Sequence, residues 1–312
     1  MIMRRDMVTA RKKKSRLNAV SRPVEMLLNL VLGSFCLICI LPFIFVTIIS
    51  FSSEASIRQI GFSFWPVELS LYAYRYIMDL GDVLWRSYFN SFFITIVGTA
   101  LSVLICILYS YALFRKDFKY RGFFTFFCFF TMMFGGGLAP TYMVCKNMLG
   151  LSDSYAALIV PMLVNPFNLI VMRTFFQSTV PTELIEAASI DGSGEYNTLF
   201  RIIVPISKPG IATVALLNAL AYWNEWFIAM LYIKDNKYIP LQYLLMKQQN
   251  EVDFVVRNSA QLGLEAAKIM SSLPQESLRM ALVVLIVVPI ACAYPFFQRY
   301  IISGLTIGSV KG

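Results

Sequence analysis

Six stretches of the 312-residue chain are apolar over lengths that reach across a bilayer. They run over residues 24–51, 88–114, 122–143, 155–176, 211–233 and 279–302. Polar segments separate them, and the pattern predicts an all-α membrane protein with six transmembrane helices in one domain spanning 24–302. A basic tail, 1–23, precedes that domain, and a short tail, 303–312, follows it. The third and fourth stretches carry glycines and prolines, which neighbouring helices of a bundle compensate. In the segment 52–87, Leu71, Tyr72, Tyr76 and Leu80 recur at helical spacing, predicting a helix flat on the outer interface. Trp65, Trp85 and the tyrosines there suit the headgroup belt. Segment 144–154 is a short connection.

Between the fourth and fifth stretches, Pro181 to Pro209 (PTELIEAASIDGSGEYNTLFRIIVPISKP) is polar enough to stand in water. It predicts two short helices around a tight turn. Pro181 and Thr182 suit a first turn, where Glu183 and Glu186 favour the positive end of the helix dipole. Gly192 supplies a left-handed stop and Ser193 a cap for a second helix from Glu195 to Val204, which Pro205 ends. The first helix then shows an acidic edge, Glu183 and Glu186, beside a small face, Ala187 and Ala188. Such a face admits close approach, and a carboxylate at its edge can pair with an arginine. The same pattern also fits an amphipathic helix that lies on the membrane and binds nothing.

Composition agrees with a lipid environment: 58% of residues are hydrophobic and only 14% charged, against about 25% charged in a soluble domain. Without histidine, imidazole catalysis and the usual zinc chemistry are excluded. Six scattered cysteines imply no disulfide framework, and Cys36 and Cys39 within an apolar run read as helix packing. No G-x-x-x-x-G-K-[ST] occurs, so the chain has no P-loop and is not expected to hydrolyse ATP. A metal or catalytic site is not expected either.

The net charge of +9 matters through its placement. The tail before residue 23, loop 115–121, loop 172–210 and the chain after 298 hold seventeen of the 27 Lys and Arg. The intervening segments hold nine, with Arg279 at the mouth of the last helix. The positive-inside rule therefore predicts that both termini and the 181–209 loop are cytoplasmic. The basic tail can also touch anionic membrane lipid. Its length and flanks do not suit a signal peptide, because the apolar run behind it is too long for an h-region. The outer segment 234–278 is long and mixed in charge, from Asp235 to Glu276. It is either functional or a plain solvated connection.

Polar residues inside the spans stand out. Glu225, in Tyr222-Trp223-Asn224-Glu225-Trp226, lies toward the outer end of the fifth stretch, where an ionisable group is costly and marks a candidate site. Alternatively it reaches the headgroups or pairs with a second subunit. Asn165 and Asn168 sit beside Pro161 and Pro166; interhelical hydrogen bonding is their first reading and lining a translocation path the second. Gly135-Gly136-Gly137 breaks the outer end of the third helix and offers a hinge or close approach.

Glu186-Ala187-Ala188, three residues, Gly192, nine residues and then Ile202-x-Val204-Pro205 resembles the EAA loop of ABC-importer permeases, with Val204 in place of leucine the one departure. Pro181-x-Glu183-Leu184, Ile190-Asp191-Gly192 and Lys208-Pro209 narrow the resemblance to the carbohydrate branch, of the maltose-type sugar permeases. Gly135 to Tyr142 and Arg173-Thr174-Phe175-Phe176 resemble a Gram-positive subgroup linked to complex oligosaccharides and polysaccharide fragments. The resemblance implies a type I importer permease fold in which Glu183, Glu186, Ala187, Ala188, Asp191 and Gly192 form a coupling helix docked on an ATPase. It implies a heterodimer with a sister permease, two ATPase subunits that bind ATP and Mg, and an extracellular lipid-anchored binding protein meeting the 234–278 loop. It also implies an oligosaccharide path at Trp223, Asn224, Glu225 and Trp226, since aromatic faces stack on sugar rings and amides bond hydroxyls. Two rivals remain at this point. An ion-coupled secondary transporter needs charges within its helices, for which only Glu225 is a clear candidate, and usually repeated halves, which are not seen. A membrane-bound DNA-binding sensor would read 181–209 as helix-turn-helix, but four acidic residues against Arg201 and Lys208 suit phosphate poorly, so no nucleic-acid partner is expected.

Overall fold

A computed structural model describes residues 21–257 and 274–308. On the first side of the chain lie α1 (Arg22–Ser50), α2 (Glu54–Ile60), α3 (Tyr72–Met78), α4 (Asp82–Phe114), α5 (Arg121–Met133), α6 (Leu138–Met143), α7 (Tyr155–Ile159) and α8 (Pro166–Thr179). Then follow α9 (Thr182–Ile190), α10 (Glu195–Asn197), α11 (Val204–Ile206), α12 (Lys208–Trp223), α13 (Phe227–Tyr232), α14 (Leu241–Arg257) and α15 (Gln275–Gly308). No strand occurs among the described residues, only a single antiparallel bridge between Ser52 and Leu69.

Three helices are long and apolar enough to cross a membrane unbroken: α1, α4 and the Gln275–Pro295 portion of α15. The other three spans are bent pairs. Arg121–Met133 and Leu138–Met148 meet at 114°, Tyr155–Met162 and Pro166–Thr179 at 53°, and Glu195–Ile206 and Lys208–Trp223 at 84°. The first bend falls on the Gly135–Gly137 run, as expected from the glycines, with Gly137 at φ +83°.

Several boundaries differ from the hydropathy pattern, each for a local reason. The second span begins at Asp82 rather than 88, since Asp82, Arg86 and Ser87 are polar yet helix-compatible. The fifth span is not one helix over 211–233. The Asn224 amide donates to the Leu220 carbonyl at 2.9 Å, while the Glu225 carboxylate accepts the Ile228 N–H at 2.8 Å. Both side chains compete with the backbone ladder, so α12 ends at Trp223 and α13 starts at Phe227. The last helix runs past 302 to Gly308. In segment 52–87 the helix forms, but Ala73 and Ile77 face inward while Leu71 and Tyr72 are exposed. Segment 234–278 is not a plain connection: its first half is α14, a 17-residue helix burying Leu241, Leu244, Leu245 and Val252.

The buried side chains form two clusters stacked along the bundle. One gathers Leu84, Ile94, Leu158, Tyr222, Trp223, Leu245 and Leu278, among others. The second gathers Ile107, Leu113, Met172, Phe176, Leu199, Ile203 and Val214. Between them runs a polar layer in which Asn218 Oδ1 accepts from Asn168 Nδ2 at 3.1 Å and from Ser102 Oγ at 3.3 Å. Ser102 Oγ also donates to the Leu163 carbonyl at 2.7 Å, so the layer ties α4, α8 and α12 to one another and to the segment before α8, since buried polar groups in an apolar medium are costly unless paired.

Two glycines set how closely the helices approach. A Cβ on Gly98 of α4 would lie 2.6 Å from the Tyr222 ring of α12, and one on Gly210 would lie 2.4 Å from the Phe175 ring of α8. Tyr222 cannot swing aside cheaply, since it is buried and its hydroxyl donates to the Ile159 carbonyl at 3.0 Å. Gly98→Ala is therefore expected to overpack the α4–α12 contact and cost about 1–3 kcal/mol. A lowered thermal midpoint of the detergent-solubilised protein checks this, and an unchanged midpoint would contradict it.

Candidate functional site

The 181–209 loop folds as two short helical pieces around a turn. Gly192 takes φ +72°, the left-handed conformation that glycine adopts without a Cβ penalty. Ser193 does not cap the following backbone as expected. Its Oγ instead accepts from Asn197 Nδ2 at 2.8 Å and Thr198 Oγ1 at 3.2 Å. Nor does Pro205 end the second piece. The chain winds as a wider π-helix over Thr198–Ile203 and carries through Pro205 to Ile206, breaking at Ser207. The missing proline N–H and its bulky ring are accommodated where the helix has already widened.

Along α9, Glu183, Glu186 and Ala187 are exposed, as is Asp191 at its end. Ala188 is not part of that open face: it is buried, and Ile185 packs against the second core cluster. The open face is completed by residues that the residue pattern did not single out. Ile190 is 86% exposed and Tyr196 is 77% exposed, an arrangement that costs free energy in water and marks a contact surface. Only the three-dimensional turn at Gly192 brings these two apolar side chains to the same end of the loop. Glu186 borders a recess of about 380 Å³ with Phe114, Arg115, Lys116 and Ile190, and has no hydrogen bond or ion pair among the described residues.

The second piece is anchored. The Glu195 carboxylate accepts from the Tyr111 hydroxyl through one oxygen and from Arg115 Nη2 at 2.8 Å through the other. Arg115 also pairs with Asp117 at 2.7 Å. Burial alone would lower the Arg115 pKa, but the Asp117 hydrogen bond and the negative charges of Glu195 and Asp117 outweigh it and raise it.

At the other end of α4, the segments around 153, 234–241 and 276 are clasped. Asn90 is fully buried, donating to the Lys237 and Ile239 carbonyls at 3.0 Å and accepting from the Tyr155 hydroxyl at 2.8 Å. Ser91 Oγ accepts the Leu241 N–H at 2.8 Å. Asp153, at φ +41°, accepts the backbone N–H groups of Lys234 and Asp235. Glu54 accepts the N–H groups of Glu276 and Ser277, closing the start of α15.

The residues expected along a path do not form one surface. Trp223 is core: its indole N–H donates to the Ile286 carbonyl at 3.2 Å and Phe92 packs edge-on at 5.1 Å, so neither face is open to a sugar. Asn168 is buried in the polar layer, and Asn165 caps α8 by accepting the Phe167 N–H at 3.0 Å. Glu225 caps α13, which accounts for a carboxylate within this stretch. Asn224 and Trp226 remain exposed. Trp226 lines a recess of about 400 Å³ with Gln242, Gln249 and Arg279, while Asn224 Oδ1 accepts from Gln242 at 3.4 Å. Gln242 and Gln249 lie on α14, so nothing in the local sequence around Trp226 pointed to them.

No group of three or more Cys, Asp or Glu able to hold a metal occurs among the described residues.

Six spans, half of them bent, and a two-helix loop projecting an acidic and apolar face from one end define an importer-type permease. No protein-family model matches the chain. It is 39% identical over 292 residues to the polygalacturonan/rhamnogalacturonan transport system permease protein YtcP of Bacillus subtilis (strain 168), covering 94% of this chain and 99% of that protein. It is 40% identical to Protein LplC of the same organism, covering 91% and 93%. A solved structure of a bacterial ABC transporter involved in the import of the acidic polysaccharide alginate matches with a TM-score of 0.74 and 30% identity, covering 90% of this chain and 99% of that chain. The chain belongs to the permease subunits of sugar-importing ABC transporters. It is a multi-pass membrane component of a transport complex, and neither an ion-coupled carrier nor a DNA-binding sensor finds support in these relatives.

The clasp at Asp153 has a defined pH sense. Backbone N–H groups of Asp235 and Lys234 stabilise its carboxylate and hold its pKa below the ordinary aspartate value. The clasp is therefore complete above the ordinary aspartate pKa and is lost as pH falls through the depressed value. Amide exchange over residues 233–236, corrected for intrinsic rate, is expected to lose protection at acid pH, and Asp153→Ala to lose it already at neutral pH. Equal protection in wild type and variant would contradict this.

Proposed function

We propose that this chain couples ATP hydrolysis by separate ATPase subunits to the import of polysaccharide fragments, and that α9 is the docking element. The observation that carries the proposal is the open face of α9 and its turn: Glu183, Glu186, Ala187, Ile190, Asp191 and Tyr196 stand exposed around Gly192. A carboxylate without a partner beside large exposed apolar side chains is the composition of an anchor, apolar contact giving affinity and charge giving register. Glu186 would pair with a cation of the ATPase groove, Ala187 and Gly192 would permit close approach, and Ala188 would hold α9 to the bundle from below. ATP and Mg would be bound by those partners, and this chain would contribute no cofactor site.

The charge asymmetry supports both termini and the coupling loop in the cytoplasm of a bacterial plasma membrane, with α14 and the 52–87 segment outside. On that side α14 leaves Lys247, Asn250 and Glu251 around a recess of about 500 Å³, which suits contact with an extracellular lipid-anchored binding protein. A sister permease would complete a heterodimer and cover part of α1, which is exposed throughout from Arg22 to residue 44. As for substrate, the names of YtcP and of the alginate importer favour oligosaccharides cut from acidic polysaccharides. Asn224 and Trp226, with Gln242 and Gln249, are the exposed aromatic and amide groups suited to a sugar along the path.

Purification of the whole importer tests the docking assignment. Glu186→Arg and Ile190→Asp are each expected to reduce the ATPase recovered with the permease, while the sister permease stays bound. Full recovery of the ATPase with both variants would place docking elsewhere.

A further inference from the structure

The docking face and the anchored second piece of the loop are joined through the turn from Asp191 to Gly194. α9 meets the bundle through Ile185 and through its short link to α8, and α10 adds a second, polar route. The geometry points to Glu195 as a positioning residue, a latch that fastens the coupling loop to α4 so that movement of the docked loop turns the bundle. This inference rests on the docking assignment above and extends it to how force leaves the loop.

The grip is two-pronged. Tyr111 and Arg115 are four residues apart and so lie on one face of the last turn of α4. They hold the two oxygens of a single carboxylate, which fixes the orientation of α10 as well as its distance. Tyr111 is a buried residue, and Glu195 is the acceptor of its hydroxyl, so withdrawing the carboxylate leaves a phenol without a partner. Behind the grip, Leu199 and Ile203 of the following π-turn are buried in the same cluster as Leu113 and Phe176. The loop's second half is therefore packed on α4 and α8 together, with the polar grip on α4 alone.

The energetics separate this role from simple stability. The Glu195 side chain is 60% exposed, against 14% for Arg115. An ion pair of that exposure is worth only about 0–1 kcal/mol to folding. A contact so cheap to the fold, yet so specific in geometry, serves register rather than stability. Its position makes register matter. With 33 residues, α4 is about 50 Å long. At its far end Asn90 and Ser91 hold the backbone of Lys237, Ile239 and Leu241. One rigid helix thus joins the coupling loop to the clasped segment on the opposite side.

The test uses the assembled importer in proteoliposomes, with three readouts: ATPase recovered with the permease, thermal midpoint, and substrate taken up per ATP hydrolysed. Glu195→Gln retains one acceptor and loses the charge, and Tyr111→Phe removes one prong alone. Both are expected to keep ATPase recovery and thermal midpoint while uptake per ATP falls, by at least about fivefold for Glu195→Gln and less for Tyr111→Phe. Because both act on one contact, the double variant should fall no further than Glu195→Gln alone. Glu195→Asp, which restores charge and both acceptors, should recover part of the ratio. An unchanged ratio in Glu195→Gln overturns the latch. So does loss of ATPase recovery in that variant, which would make Glu195 part of the docking face. Glu186→Arg run in parallel separates the two assignments: if it keeps the ATPase, the docking assignment fails, whereas the latch is still decided by the ratio in Glu195→Gln.

Discussion

The close approach of α4 and α12 at Gly98 and Tyr222 is the contact on which the other arrangements depend. It brings Ser102 and Asn218 within hydrogen-bond reach, and Asn168 of α8 completes the layer. In lipid, an apolar side chain gains little by leaving one neighbour for another, so packing of small residues and satisfied polar groups decide which helices pair. The polar layer sits where the two apolar clusters meet, and a shift of any of the three helices along its axis would leave buried amide groups without partners. That penalty fixes the register of the bundle.

Given that register, both ends of α4 become anchoring points. Its last turn takes hold of Glu195, and its other end takes hold of residues 237–241 through Asn90 and Ser91. The segments at that end are held both by buried side chains such as Ile77, Leu241 and Leu245 and by backbone carbonyl and N–H groups, as at Asn90, Ser91, Asp153 and Glu54. The backbone contacts define a path for the chain, and the buried side chains fix it against the bundle.

Polar residues within the spans illustrate how one residue type serves different ends. Asn168 joins helices, Asn165 and Glu225 cap them, and Asn224 stops one helix while keeping its amide oxygen outward for Gln242. Glu225 attracts attention as an ionisable group in an apolar stretch, yet its carboxylate accepts the Ile228 N–H freed by the break that it helps to make. The cost of burying charge is offset locally by a donor that would otherwise be orphaned.

The sequence by itself determined the number of spans, the two-helix form of the 181–209 loop, the Gly192 turn and the break at Gly135–Gly137, and its EAA spacing pointed to the family. These follow from interactions within a few residues: apolar length, proline and glycine backbone limits, and charge placement. Tertiary structure alone decided that Ala188 faces inward while Ile190 and Tyr196 face outward. It likewise decided that Trp223 is core, that Gln242 and Gln249 come to Trp226, and that Glu195 is gripped by α4. Each of these depends on partners far apart along the chain, as Tyr111 and Arg115 are from Glu195. No local pattern encodes which face of a short helix a distant helix will cover, because that is settled by the packing of the whole bundle.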